Sequence, residues 1–379
     1  MSLGTALLDR ALGAARHPEL SDVVVPTLLI RLALMVYAPL AVLFMHVNPP
    51  PEGWLHIWNR WDGPHYLEIA ARGYDPNGDT ALVAFFPLYP GLIRIASNVL
   101  PPLQAAMVIS LVATLLAGIG LYRLVLPDAG RDTARRAVLL LNIFPTAFAL
   151  VAPYSEPVFL AFTIWSFLLA RRDDWVGASV MGMLAAIARI QGALLLPVLA
   201  VEYLLTRRRL GRDLLWVALV PVGSLVYLAV NLVAYGDPFF FLGVQREHFY
   251  HHLELPWVVI GDLVRDVATH GPDEGWATVY VAPLVALAFL ALVAGWSALA
   301  VLARRLRASY AAYAIVSWGL LASMTWPISA PRYTLAVFPV FIVLATLTEN
   351  RIVRFVTVAV SLFLLLVFTA VFARGGWAF

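Results

Sequence analysis

Asp62 stands immediately ahead of Gly63-Pro64, and that spacing suits two uses of a carboxylate. One is to cap the first turn of a short helix that begins at Gly63-Pro64 and stops at Gly73. The other is to act as a general base, taking a proton from a hydroxyl at the mouth of a buried cavity. Arg189, in Ala188-Arg-Ile-Gln-Gly192, and Arg332, in Pro331-Arg-Tyr-Thr334, lie at the ends of apolar runs. An arginine so close to a membrane core is costly and marks a working site, unless it merely snorkels to the interface. Its planar fork also suits bidentate phosphate binding. Glu156, in Pro153-Tyr-Ser-Glu-Pro157, caps the helix after it or takes part in binding. On a helix, His248, His251 and His252 would share a face and invite zinc. No second ligand cluster, His-Glu-x-x-His motif or Asp-x-Asp pair accompanies them. The competing reading is a polar aromatic loop lining a cavity, with His248 in a binding role. His65 alone reads as a hydrogen-bonded loop residue, and Glu68 with Arg72 as an i, i+4 ion pair.

The elements that must position these groups are membrane helices. Of 379 residues, 61% are hydrophobic and only 13% charged, and mean hydropathy is +0.83. That balance excludes an ordinary soluble enzyme, a disordered chain and a nucleic-acid binder, since too little charge exists to cover a solvent-facing surface. The net charge of +3 is a weak basic bias. All 26 basic residues are arginine, and the absence of cysteine removes disulfides and thiolate chemistry. No cleavable signal peptide is expected, because residues 1–22 carry both charge signs.

Apolar runs near 23–47, 103–126, 137–152, 157–170, 176–188, 192–205, 214–235, 278–303, 309–326, 333–348 and 355–372 give eleven candidate spans in one polytopic domain over 1–379. With the N-terminus inside, sixteen arginines fall on inner segments and eight on outer ones, and the tight clusters all fall inside. Two long loops, 48–102 and 236–277, then lie outside and hold His56, His65, His248, His251, His252 and His270 with most of the loop carboxylates. Chemistry belongs on that face. Trp54, Trp58 and Trp61 suit helices lying in the headgroup layer. Ala84-Phe-Phe-Pro-Leu-Tyr-Pro90 is a kinked re-entrant or interfacial element, or the wall of a lipid or sugar groove.

The run Arg60-Trp-Asp-Gly-Pro-His-Tyr-Leu-Glu-Ile-Ala-Ala-Arg-Gly-Tyr74 resembles the signature loop of the PIG-V-like mannosyltransferases, and so does Ala84–Pro90. Tyr154-Ser-Glu156, Ala188–Gly192 and Pro331–Thr334 follow in the family's order, so the resemblance runs from about 55 to 340. The Arg-Ile-Gln-Gly segment departs from the family's Arg-Ser/Asn-Asn-Gly, which leaves the role of Gln191 open.

The resemblance implies an all-α membrane protein with a GT-C-like bundle and interfacial helices in its first outer loop. It implies inverting transfer of mannose from a polyprenyl-phosphate-mannose donor to a glycolipid or lipid-linked acceptor, with Asp62 as the base. Arg60, His65, Tyr154, Glu156, Arg189, Gln191, His248 and Arg332 are then the expected substrate-binding residues. No metal or other cofactor is expected, since a lipid phosphate is already an anionic leaving group. The expected partners are the lipid-linked donor and acceptor and membrane lipids, with no nucleic acid, in a monomer of the plasma membrane whose active site faces outward. The rival functions are a transporter or flippase of lipid-linked sugars and a noncatalytic membrane scaffold. Transporters usually show repeated halves and midplane ionisable groups, and neither is evident here.

Overall fold

A computed structural model describes residues 18–207, 211–272 and 275–378. The expectations for residues 1–17, with Arg10 and Arg16, and for Arg208, Arg209, Asp273 and Glu274 lie outside the described residues. Among those described there is no β-strand, only an isolated bridge between Leu253 and Met324. The helices are α1 (Val25–Phe44), α2 (Asp62–Arg72), α3 (Leu88–Ala96), α4 (Pro102–Asn142), α5 (Glu156–Arg171), α6 (Trp175–Ala188), α7 (Leu195–Arg207), α8 (Val220–Tyr235), α9 (Phe240–Glu247), α10 (Pro256–Thr269), α11 (Ala282–Leu302), α12 (Ala308–Ala322), α13 (Ala330–Leu335), α14 (Pro339–Leu347) and α15 (Arg351–Ala373).

Among the described residues, six helical segments are long and apolar enough to cross a membrane: 20–44, 102–142, 190–207, 212–235, 277–302 and 351–373. Helices α6 and α12 are shorter and apolar. The outermost helices wear their hydrophobicity outward. Leu28, Leu32, Val36 and Leu40 of α1 recur every four residues and are exposed, as are Ile352, Phe355, Val356 and Phe363 of α15. A stripe of this kind is suited to lipid rather than water. Helix α5 shows the opposite pattern and is buried almost all round.

The fold separates two ends. At one end arginines meet acids: Asp22 with Arg131 at 2.6 Å, Arg123 with Glu19 at 2.7 Å, Arg171 with Asp128 at 2.8 Å and Arg307 with buried Glu202 at 3.0 Å. Helix α4 turns back at this end through Gly130, whose φ of 78° and ψ of 171° suit glycine alone. This bend separates the apolar runs 103–126 and 137–152. The second run does not stay helical. It breaks after Asn142 and crosses the interior as irregular chain, with one 3-10 turn over Ala147–Leu150.

Unwound backbone inside a membrane protein persists only where its polar groups find partners. Arg31 of α1 provides several of them. Its Nη1 donates to the Ala147 carbonyl at 2.7 Å, and its Nη2 to the Asn142 carbonyl at 3.2 Å and Asn142 Oδ1 at 2.7 Å. Ser110 donates to the Ala152 carbonyl and Thr114 to that of Leu150. Thr146 donates to the Pro331 carbonyl at 3.2 Å, tying the segment to α13.

Of the three expected interfacial tryptophans, Trp58 is corrected. It is a core residue at the end of a 3-10 turn, Trp54–Trp58, and packs against Phe372. Trp54 and Trp61 remain partly exposed. Replacing Arg31 with Met is expected to destabilise the protein by about 3 kcal/mol, because buried carbonyls lose their donor. Replacement with Lys should recover part of the loss. Thermal unfolding in detergent, followed by intrinsic tryptophan fluorescence, checks both.

Candidate active site

Helix α2 starts at Asp62, and the residue before it, Trp61, has φ 55° and ψ −107° with no side-chain cap. The capping role expected of Asp62 is therefore not what the structure shows. Its carboxylate turns instead to Arg332, with Oδ2 2.7 Å from Nη1. Glycine is needed next to it, since a Cβ at Gly63 would stand 2.8 Å from Asn59 Oδ1 and 2.9 Å from Pro153 Cγ. The helix ends at Gly73, φ 79°, as its sequence predicts, and its buried face presents Tyr66 and Ile69.

Arg332 continues the line. Its Nε lies 3.0 Å from Glu156 Oε1, and the same oxygen lies 2.8 Å from Arg189 Nη1. Four charges thus alternate: Asp62, Arg332, Glu156, Arg189. Glu156 is 0% exposed, Arg332 2% and Arg189 9%, whereas the Asp62 side chain keeps 20%. Ions at such depth are tolerated only when each is paired. Aromatic faces complete the shell. The Arg332 guanidinium lies 4.8 Å from the Tyr154 ring centre, and that of Arg189 lies 4.7 Å from the centre of Tyr333. Arg189 Nη1 also donates to Ser155 Oγ at 2.9 Å, and that oxygen lies 2.8 Å from Tyr66 Oη.

The line opens on a cavity of about 520 Å³. Of the residues singled out in the sequence, Asp62, His65, Arg189, Gln191, His248 and Arg332 line it. Three expected binding residues do not. Glu156 is sealed behind the arginines, Tyr154 is fully buried beneath Arg332, and Arg60 lies off the cavity, its backbone carbonyl accepting from Tyr154 Oη at 3.2 Å. These three support the wall instead of forming it. Arg189 and Arg332, expected as phosphate grips, spend donors on carboxylates. Phe85 and Phe86 form part of the lining, which favours the wall reading of Ala84–Pro90.

The histidine stretch is not one helix face. Helix α9 ends at Glu247, and 252–254 is pinned to 323–325 by backbone bonds from Glu254 to Ser323 at 2.8 Å and from Thr325 to His252 at 3.0 Å. His251 Nε2 lies 3.1 Å from the Trp326 carbonyl, which only accepts, so Nε2 carries the proton. Its Nδ1, the acceptor of the neutral ring, lies 3.0 Å from the Gln245 side-chain amide, whose NH2 is the group able to donate to it. Burial lowers the His251 pKa below the usual histidine value, a shift the Trp326 carbonyl partly opposes. Among the described residues no group of three or more His, Cys, Asp or Glu is gathered to hold a metal ion. Sequence reasoning passed over Trp326 and Trp377, which also line the cavity. Neither belongs to one of the motifs, and aromatic side chains are too common here to signal a site.

Residues 29–207 match the sequence model of the family described as Mannosyltransferase (PIG-V). Over that segment, a little under half of its length, the chain is similar to this family. Asp62, Glu156 and Arg189 lie inside the matched segment, and Arg332 outside it. GPI alpha-1,6-mannosyltransferase 2 of Mus musculus is 32% identical over 151 residues, 36% of this chain and 30% of that protein. The chain also superimposes on the crystal structure of ArnT from Cupriavidus metallidurans bound to undecaprenyl phosphate. The TM-score there is 0.53 and the identity 16%, over 86% of this chain and 60% of that one. The fold is thus of the GT-C type, on a multi-pass membrane protein. An oligosaccharyltransferase of Archaeoglobus fulgidus superimposes with TM-score 0.47 and 16% identity, over 92% of this chain and 56% of that one. The chain spans less than two thirds of the length of each of these proteins.

Removing one member of the ion line leaves a buried charge alone. Glu156→Gln is expected to cost about 3–5 kcal/mol. Gly192→Ala is expected to displace the Arg189–Gln191 turn, because its Cβ would drive into the backbone of Ala185 and Ala186. Thermal unfolding checks the first, and loss of native protein in size-exclusion chromatography the second.

Proposed function

We propose that this chain is an inverting membrane mannosyltransferase. It takes mannose from a polyprenyl-phosphate-mannose donor and passes it to a hydroxyl of a glycolipid or lipid-linked acceptor. The observation that carries this reading is the placement of Asp62: of the two carboxylates in the ion line, it is the one that reaches the cavity. Arg332 holds its Oδ2, which leaves Oδ1 to face the acceptor hydroxyl. The hydroxyl oxygen attacks the anomeric carbon as the bond to the donor phosphate breaks. The bonding pair leaves with the phosphate, and the hydroxyl proton passes to Asp62. The configuration inverts because attack and departure occur on opposite faces. A lipid phosphate departs as an anion and needs a cation rather than an acid, and Arg189, at the cavity wall, has five donors from which to offer one. The chemistry calls for no metal.

The arginine-rich end lies opposite the cavity. By the positive-inside rule it faces the cytoplasm, so the cavity opens on the outer side of the plasma membrane. The family match and the GT-C fold favour this reading over a sugar-lipid flippase.

Asp62→Asn keeps the size of the side chain and removes the base. In detergent-purified protein given labelled polyprenyl-phosphate-mannose and a membrane lipid extract, it is expected to lower transfer by about 10²–10⁴-fold with a near-native unfolding profile. Unchanged transfer would remove Asp62 from the reaction. No mannosylated product from the unaltered protein would overturn the proposed activity.

A further inference from the structure

The backbone immediately ahead of Asp62 is strained. Trp61, with φ 55° and ψ −107°, lies outside the regions open to a bulky side chain. Such a conformation persists only where the surroundings over-determine it, and it is concentrated at working sites. Two other non-glycine residues with positive φ, Tyr250 and Trp326, also line this cavity.

The contacts that hold Trp61 come from the far end of the chain. Trp61 Nε1 donates to the Gly376 carbonyl at 3.2 Å, across 315 residues. The Trp61 ring meets Trp377 edge to face, with centroids 5.0 Å apart and planes at 80°. Gly375, at φ 90°, turns the chain after α15 so that it runs back across the loop. A Cβ at that glycine would stand 3.8 Å from Arg60 Cζ, so the returning chain also passes the Arg60 side chain. Residue 60 is anchored separately through its carbonyl to Tyr154, whose ring carries the Arg332 guanidinium. Residues 60 and 61 are thus pinned by different parts of the molecule, and the next residue is the carboxylate.

We propose that Gly375–Trp377 is a positioning strap. It keeps Trp61 in its strained conformation and so fixes the direction in which the Asp62 carboxylate meets the cavity. The strap rests on the reading of Asp62 as the base and acts through Trp61. A small error in the aim of a reacting group is enough to slow a reaction a hundredfold, so loss of the strap reads out in turnover rather than in donor affinity.

The test pairs kinetics with amide hydrogen exchange. Trp377→Ala is expected to lower kcat about 10–100-fold while KM for polyprenyl-phosphate-mannose stays within about twofold, and Trp377→Phe, which keeps an aromatic edge, should return most of the rate. Trp61→Phe removes the bond to Gly376 while keeping an aromatic ring toward Trp377, and should show the same pattern in weaker form. It serves as the second variant if Trp377→Ala fails to fold. In Trp377→Ala the amides of residues 61–66 are expected to exchange faster than in the unaltered protein, with 128–136 at the opposite end unchanged. A raised KM at constant kcat would make Trp377 a substrate contact and overturn the strap. Unchanged exchange over 61–66 would overturn it as well, whether or not the unaltered protein transfers mannose. Faster exchange in a protein that transfers no mannose would uphold the mechanical link and reject the function assigned to Asp62.

Discussion

A line of four alternating charges inside an apolar bundle sets the terms for the rest of this molecule. Two acids and two arginines sum to zero, so the interior carries no net charge at that point. Each member is nevertheless costly to bury alone. Most of the architecture at the cavity end compensates that cost. Tyr154 and Tyr333 offer ring faces to the guanidiniums, Ser155 offers a hydroxyl, and surrounding helices exclude water from Glu156. One end of the line stays partly open, and it ends in a carboxylate. An inward arginine thus holds the acid at the edge of the cavity.

The same economy governs the irregular chain between α4 and α5. It crosses the interior without helix, and side chains from α1 and α4 provide donors that helical neighbours would otherwise supply. Glu156 follows directly upon this stretch. An unwound backbone therefore places a charge where a continuous helix would have carried the chain past the site. Arg31 and the ion line make contrasting uses of the same residue type. One arginine is satisfied by carbonyls and an amide, the others chiefly by carboxylates.

What could be read from the sequence was local. Helix α2 and its stop at Gly73 follow from short-range rules, and each apolar run overlaps a helix, though six segments have the length and apolarity to cross a membrane by themselves. Asp62, His65, Arg189, Gln191, His248 and Arg332, far apart in the chain, line one cavity. The partnerships were not legible. Nothing near Asp62 announces that it will pair with Arg332, and nothing in Tyr154 or Arg60 says that they stop short of the cavity. The run 137–152 looked like one span because its composition is mostly apolar, while the polar partners of its unwound part, Arg31, Ser110 and Thr114, come from elsewhere in the chain. Trp58 looked like an interfacial anchor because indole suits both headgroups and cores, and only packing decides between them.

The separation between the two halves of the strap contact also bears on how the protein comes into being. The acid leaves the ribosome early, and the indole that holds its neighbour follows some three hundred residues later. Arg332, which grips the acid itself, also arrives late. A chain made only as far as its first helices therefore has Asp62 without either of these partners, and the surroundings of that carboxylate are assembled only once both distant segments have joined the bundle.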